Sequence, residues 1–253
     1  MDVGYKLRTK PITTPKKTPE SSQIRDTFET PKYATELLLP FIPRNVNCVW
    51  EPAAGNCRIS KVIKNAGIDV LSSDIRILTD SVTYYNFLTD TKRTDIHRDC
   101  AIITNPPFSV KEQFIEKAFE YGVPFAFLIN ADYSQQAISW MERGCEKIVP
   151  NRRINFITPN ILNRIHEGEV YKKSTYKCSL NDFKKDYPKV WEELLLEFSS
   201  VHNYNSVNEV PSKLLYAYSS SQFHSIWLTY GFKLGKTETF VDVDLDYAKE
   251  NMI

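Results

Sequence analysis

Short apolar runs alternate with polar, helix-periodic stretches from about residue 28 to about residue 158. The runs 48–51, 69–73, 101–104, 125–129 and 147–149 are too short for buried helices and are bounded by turn-forming residues, so they predict strands. Between them, 58–66, 110–121 and 135–143 repeat apolar residues every three or four positions and predict helices. An earlier helix is predicted from Thr30-Pro31, with Thr30 as N-cap and Pro31 at the first helical position. Leu37-Leu38-Leu39 is its apolar part, and Pro40 and Pro43 end it. Strands alternating with helices predict an α/β fold, a doubly wound and mostly parallel sheet with helices on both faces. In such sheets ligands lie beyond the carboxyl ends of the strands.

The alternation stops near Pro159. Residues 160–213 are polar, with one helix at about 188–198, and strand-like patterns resume at 225–230 and 239–243. The simplest reading is one domain, 27–159 and 214–253, carrying an inserted lobe at 160–213. Ahead of it, 1–26 is rich in Lys, Thr and Pro, and its spaced prolines Pro11, Pro15 and Pro19 exclude a helix. We expect a disordered arm there, and its basic residues Lys6, Arg8, Lys10, Lys16 and Lys17 suit a phosphate backbone.

At 253 residues the chain suits a single α/β domain with a lobe. Thirty-two Lys and Arg against 31 Asp and Glu leave a charge of +1, which excludes a histone-like coat. The charge is segregated, however. Between Arg152 and Lys189 nine basic residues meet four acids, which marks that stretch as a candidate phosphate-binding surface; a solvated charged face is the ordinary alternative. The last residues, from Thr237 on, are acidic. Five scattered cysteines without a CxxC pair, and four histidines without ligand spacing, predict neither a disulfide framework nor a metal site. With no 18-residue apolar run and no signal-like N-terminus, the expected location is the cytoplasm.

Three segments carry candidate chemistry. Asn105-Pro106-Pro107-Phe108 follows the predicted strand 101–104 directly. The prolines stiffen the chain as it leaves the sheet. The Asn105 side chain and the Pro106 carbonyl can accept protons from an exocyclic amine, and Phe108 offers a flat face to the ring that bears it. The ordinary alternative is a stiffened turn with Asn105 as a local cap. Glu51-Pro52-Ala53-Ala54-Gly55-Asn56-Cys57 joins a strand to a helix; small residues let a ligand approach, Gly55 permits a tight turn, and Glu51 suits an ammonium group. Asp74, at the next strand end, suits two ribose hydroxyls, or serves as a helix cap.

In this order and strand phase the three segments resemble S-adenosylmethionine-dependent amino-methyltransferases, closest to the DNA N6-adenine methyltransferases of phage type. The resemblance covers about 27–158 and 222–243. It implies a Rossmann-like sheet with S-adenosylmethionine as methyl donor. Phe28, Glu29, Thr30 and Pro31 match the segment closing over the donor's methionine part, so Phe28, Thr30 and Pro31 become donor-binding candidates with Glu51, Ala53, Gly55, Asp74, Asn86 and Phe87. Asn105, Pro106, Pro107 and Phe108 match the catalytic tetrapeptide, and 153–156 and 225–230 resemble the final strands. Two positions depart from the pattern. Cys57 stands where a glycine is common and would crowd the donor, and Asn86, ahead of Phe87, stands where an acid usually receives the adenine amine, with Asp90 as a substitute.

The activity implied is methyl transfer to N6 of an adenine flipped out of DNA, by direct displacement and without a covalent nucleophile. The lobe 160–213 would read the target, with Tyr133 near the flipped base and Arg153, Lys172, Lys173 and Lys177 on DNA. A phage-encoded enzyme would act in the host cytoplasm. RNA adenine, cytosine N4 and protein glutamine are alternative acceptors. A non-catalytic binding protein that keeps the fold is a third class of reading.

Overall fold

The computed structural model describes residues 28–157 and 223–253. The elements are α1 (Lys32–Glu36), a 3-10 turn (Leu39–Phe41), β1 (Cys48–Glu51), α2 (Arg58–Asn65), β2 (Asp69–Asp74), β3 (Thr83–Tyr84) and β4 (Cys100–Thr104). A 3-10 turn (Phe108–Val110) leads into α3 (Lys111–Tyr121), followed by β5 (Phe125–Asn130), α4 (Gln135–Glu142) and β6 (Cys145–Pro150). After residue 222 come β7 (Ser225–Tyr230), β8 (Glu238–Val241) and α5 (Leu245–Glu250).

The eight strands form one sheet in the order β3-β2-β1-β4-β5-β7-β6-β8. All neighbours are parallel except β7, which runs antiparallel between β5 and β6. The β4 and β5 sequences, CAIIT and FAFLIN, are apolar on successive residues because both faces are covered. Val49, Ala101, Ile103, Leu128 and Trp227 pack under α1, α2 and α5. Their neighbours Trp50, Ile102, Phe125, Phe127 and Ile226 pack under α3 and α4. The α/β architecture with helices on both faces is therefore as the hydrophobic pattern predicts. The order reverses at β1, between β2 and β4, so the carboxyl ends of these three strands form the crevice where ligands bind in open α/β sheets.

Three local expectations need correction. Thr30 does not cap α1: Pro31 occupies the cap position with an extended ψ of 149° and no side-chain cap bond. The backbone carbonyls of Met252 and Asn251 instead accept from Lys32 N and Tyr33 N, both at 3.0 Å, so the C-terminal tail satisfies the free donors of the helix. Residues 153–156 are not a strand. Only one bridge forms there, Glu29 with Ile157. The next pair would need an N–H from Pro31, which has none, and Asn155 N donates to the Tyr33 hydroxyl instead (2.9 Å). Finally, 239–243 does not run through as strand; β8 ends at Val241, and Asp244 caps the unforeseen α5 through bonds from Asp246 N and Tyr247 N. The arm 1–26 and the whole of the lobe 160–213, with Lys172, Lys173 and Lys177, lie outside the described residues.

Candidate functional site

A cavity of about 790 Å³ opens at the switch point, and Phe28, Glu51, Asp74, Asn86 and Asn105 are among the residues that line it. Its size falls within the range of small-molecule sites. Its walls come from the ends of β1, β2 and β4, the segment 28–30, the start of α2 and the start of α3.

Glu51 ends β1 and is 2% exposed. Its Oε2 accepts from Ser60 N at 2.9 Å and from the Ser60 hydroxyl, which also meets the Ser72 hydroxyl at 2.7 Å. Burial pushes the Glu51 carboxyl up to about 8; the Ser60 hydrogen bonds oppose that shift and the Asp74 charge adds to it. The loop that follows is tied to β2. Ala54 N donates to Ser73 O (3.0 Å), and Gly55 N donates to Asp74 Oδ2 (3.0 Å). Gly55 has φ +49°, a left-handed conformation that glycine adopts without strain.

Cys57 is also left-handed, with φ 59°, which explains the fit of a glycine there. Its side chain does not crowd the cavity, contrary to expectation. It is buried with Ala54 and Val82, its Sγ lies 3.7 Å from the Thr79 hydroxyl, and it is not part of the lining. Burial raises its thiol pKa, so it is no ready nucleophile.

Asp74 is not a helix cap. Oδ2 holds Gly55 N, and Oδ1 accepts from Arg76 N at 2.8 Å. It is 5% exposed and lines the cavity. Asn86 lines it too, its Oδ1 accepting from Leu88 N at 3.1 Å. Asp90 accepts from Asn86 N (2.8 Å) and stays outside the lining, so it braces the turn. Phe87 lines the cavity from the core beneath, stacked on Tyr121.

Asn105 is not a local cap either. Its Nδ2 donates to Phe28 O at 3.1 Å, across 77 residues of sequence. Its Oδ1 is buried without a hydrogen-bond partner. A buried acceptor without a donor costs about 1–3 kcal/mol, so the position suits a ligand that brings an N–H. Pro107 lines the cavity and Pro106 is buried beside it. Phe108 is not part of the lining. It is half-buried among Phe28, Phe156 and Phe223, with ring centroids at 6.0, 6.2 and 5.3 Å.

Phe28, Thr30 and Ala53 line the cavity, while Gly55 and the buried Pro31 stand behind the lining. Two other candidates lie elsewhere. Tyr133 is 70% exposed, with its hydroxyl on Glu238 (3.0 Å) and Lys147 Nζ 4.0 Å over its ring, outside the cavity. Arg153 is exposed and also outside the lining.

Sequence reasoning missed Glu29 and Arg58. Glu29 takes Asn56 Nδ2 on Oε1 and Arg58 Nε on Oε2. Together with the Asn105–Phe28 bond, this makes residues 28–30 a strap joining the tetrapeptide to the loop after β1. A signal existed. Arg58 opens α2, where the helix dipole disfavours a cation, so a nearby anion was to be expected.

Among the described residues no helix is long and apolar enough to cross a membrane, and no group of three or more His, Cys, Asp and Glu could hold a metal ion. No protein-family model matches the chain, and a search of curated proteins finds no match.

Proposed function

We propose that the protein is an S-adenosylmethionine-dependent amino-methyltransferase acting on adenine N6 in DNA, built on a Rossmann-like sheet. The observation that carries this reading is the buried, unpartnered Asn105 Oδ1 in the same cavity as Glu51 and Asp74. A proton acceptor for an amine thus shares one space with two acids suited to an amino-acid nucleoside.

The residues present fit the donor. Glu51 would hold its ammonium through Oε1, since both Ser60 bonds fall on Oε2. Asp74 would accept from ribose hydroxyls while keeping its bonds to Gly55 and Arg76. Asn86 would meet the adenine amine without the charge assistance of an acid. When bound, the donor supplies an electrophilic methyl group.

Catalysis by the chain is then positioning and hydrogen bonding. The N6 lone pair is delocalised into the adenine ring and attacks poorly. Asn105 Oδ1 and the Pro106 carbonyl accept hydrogen bonds from the two N6 protons and localise that pair as the nitrogen becomes tetrahedral; the N–methyl bond would form as the donor's sulfur–methyl bond breaks, and one N6 proton would then pass to water. Acceptors fixed before the reaction favour the developing positive charge without reorganising. The Phe28 carbonyl orients the Asn105 amide, which keeps Oδ1 free for this task. Phe108 would support the flipped base, and 160–213 with its flanking basic residues would contact the duplex.

The test is mass spectrometry of nucleosides from DNA of methylation-deficient cells expressing the protein. The expected product is N6-methyladenine, falling about 10²–10³-fold in Asn105→Ala, the usual effect of removing one transition-state hydrogen bond. N4-methylcytosine alone would move the substrate to cytosine. No methylated base, with no heat from S-adenosylmethionine in calorimetry, would refute the enzyme reading in favour of a binding protein.

A further inference from the structure

The donor reading leaves the anionic end of the ligand's amino-acid part without a partner. Resting on that reading, we propose that Arg58 receives the donor's carboxylate through Nη2 and makes the cavity select ligands that carry this group. Arg58 lines the cavity and is 7% exposed. Its Nε is paired with Glu29, but its Nη2 is buried without a partner. A guanidinium carries five donors in a fixed fork, and a buried N–H left without an acceptor is destabilising. A ligand carboxylate removes that deficit with a charge-assisted bond. The position adds to it, because Arg58 opens the eight-residue helix α2, whose N-terminal end attracts anions.

Neighbouring charges set which anion fits. Glu29 and Glu51 also line the cavity. The Glu29 carboxylate on Arg58 Nε disfavours a doubly charged phosphate and tolerates a singly charged carboxylate whose own ammonium faces Glu51. Glu51 ends β1 and Arg58 begins α2, so the two flanks of one loop present an acid and a cation. A zwitterionic amino-acid end matches that pair; a bare nucleoside does not.

The test compares S-adenosylmethionine with its decarboxylated form, which lacks only the carboxylate, by calorimetry on the full chain. The wild type is expected to bind S-adenosylmethionine about 10- to 100-fold more tightly, as one charge-assisted bond would give. Arg58→Gln should bring the two affinities within about threefold of each other by weakening S-adenosylmethionine alone, and Arg58→Lys should restore part of the preference. Should Arg58→Gln fail to fold, Glu29→Gln is the second variant; it keeps the Arg58 charge and should keep the preference. Equal wild-type affinities, an undiminished preference in Arg58→Gln, or adenosine monophosphate binding as tightly as S-adenosylmethionine would each overturn the assignment. A wild type that binds none of these ligands would instead overturn the donor reading beneath it.

Discussion

Glu51→Gln should make the protein more stable at pH 8 and leave it nearly unchanged at about pH 5. The carboxyl ordinarily titrates at 4.5 and burial raises it to about 8 in the fold. Between those values the unfolded chain has lost the proton and the native protein keeps it. Folding therefore takes up a proton, and stability falls as pH rises through this window. The slope is roughly 1 kcal/mol per pH unit, or of order 4 kcal/mol across the window. Glutamine is close in shape and keeps a carbonyl for Ser60, but it has no proton to lose, so its profile lacks this slope. Urea unfolding of both proteins from about pH 5 to pH 8 gives the difference directly, because all other titrating groups cancel. Parallel profiles would refute the buried, protonated state. A second readout follows: a ligand ammonium beside Glu51 favours the carboxylate, so S-adenosylmethionine should release close to one proton near pH 7 in the wild type and none in the variant. Calorimetry in buffers of different ionisation enthalpy counts it.

Asn86→Asp should tighten S-adenosylmethionine binding several-fold, since Asp keeps the Leu88 N bond and adds charge; unchanged affinity by calorimetry would remove this position from the adenine site. Gly55→Ala should destabilise the fold by about 1 kcal/mol in urea unfolding and weaken the donor, purely through backbone strain at φ +49°, because nothing lies within 4 Å of the added methyl. Replacing Lys172, Lys173 and Lys177 with Ala should flatten the plot of log K against log salt by about 0.9 for each phosphate no longer neutralised, without changing donor affinity; an unchanged slope would move the DNA-binding surface to the arm at 1–26.

The centres of the strands were legible because β4 and β5 are apolar on both faces, and their lengths left no room for helices. The three segments of the site were legible because each sits at a strand end, where the alternation itself points. Other features carried no such mark. β3 is two exposed residues held by pairing with Ser73 and Asp74. α5 buries only Ala248 and reads as an acidic tail. The Glu29–Arg58 pair joins residues 29 positions apart, and the strap that positions Glu29 leads into a helix whose free donors are satisfied by backbone carbonyls of the last residues. Bonds made by backbone across the whole chain leave no periodicity to read.

Because β7 runs antiparallel to both its neighbours, the chain leaves the described sheet and re-enters it at one edge. Ile157 is bridged to Glu29, and Phe223 stands edge-on to Phe108 just before β7 begins. The span 158–222 thus has both ends moored beside the acceptor corner. Phe156 and Phe223, at the two described ends, lie with ring centroids 5.9 Å apart, and the entropy of joining two such ends grows only with the logarithm of the length between them, about 0.6 kcal/mol for each doubling. Lengthening, shortening or exchanging that span therefore places little thermodynamic load on the sheet. Under the proposed function, trading this one span would change the target preference while the cavity at the ends of β1, β2 and β4 stays as it is.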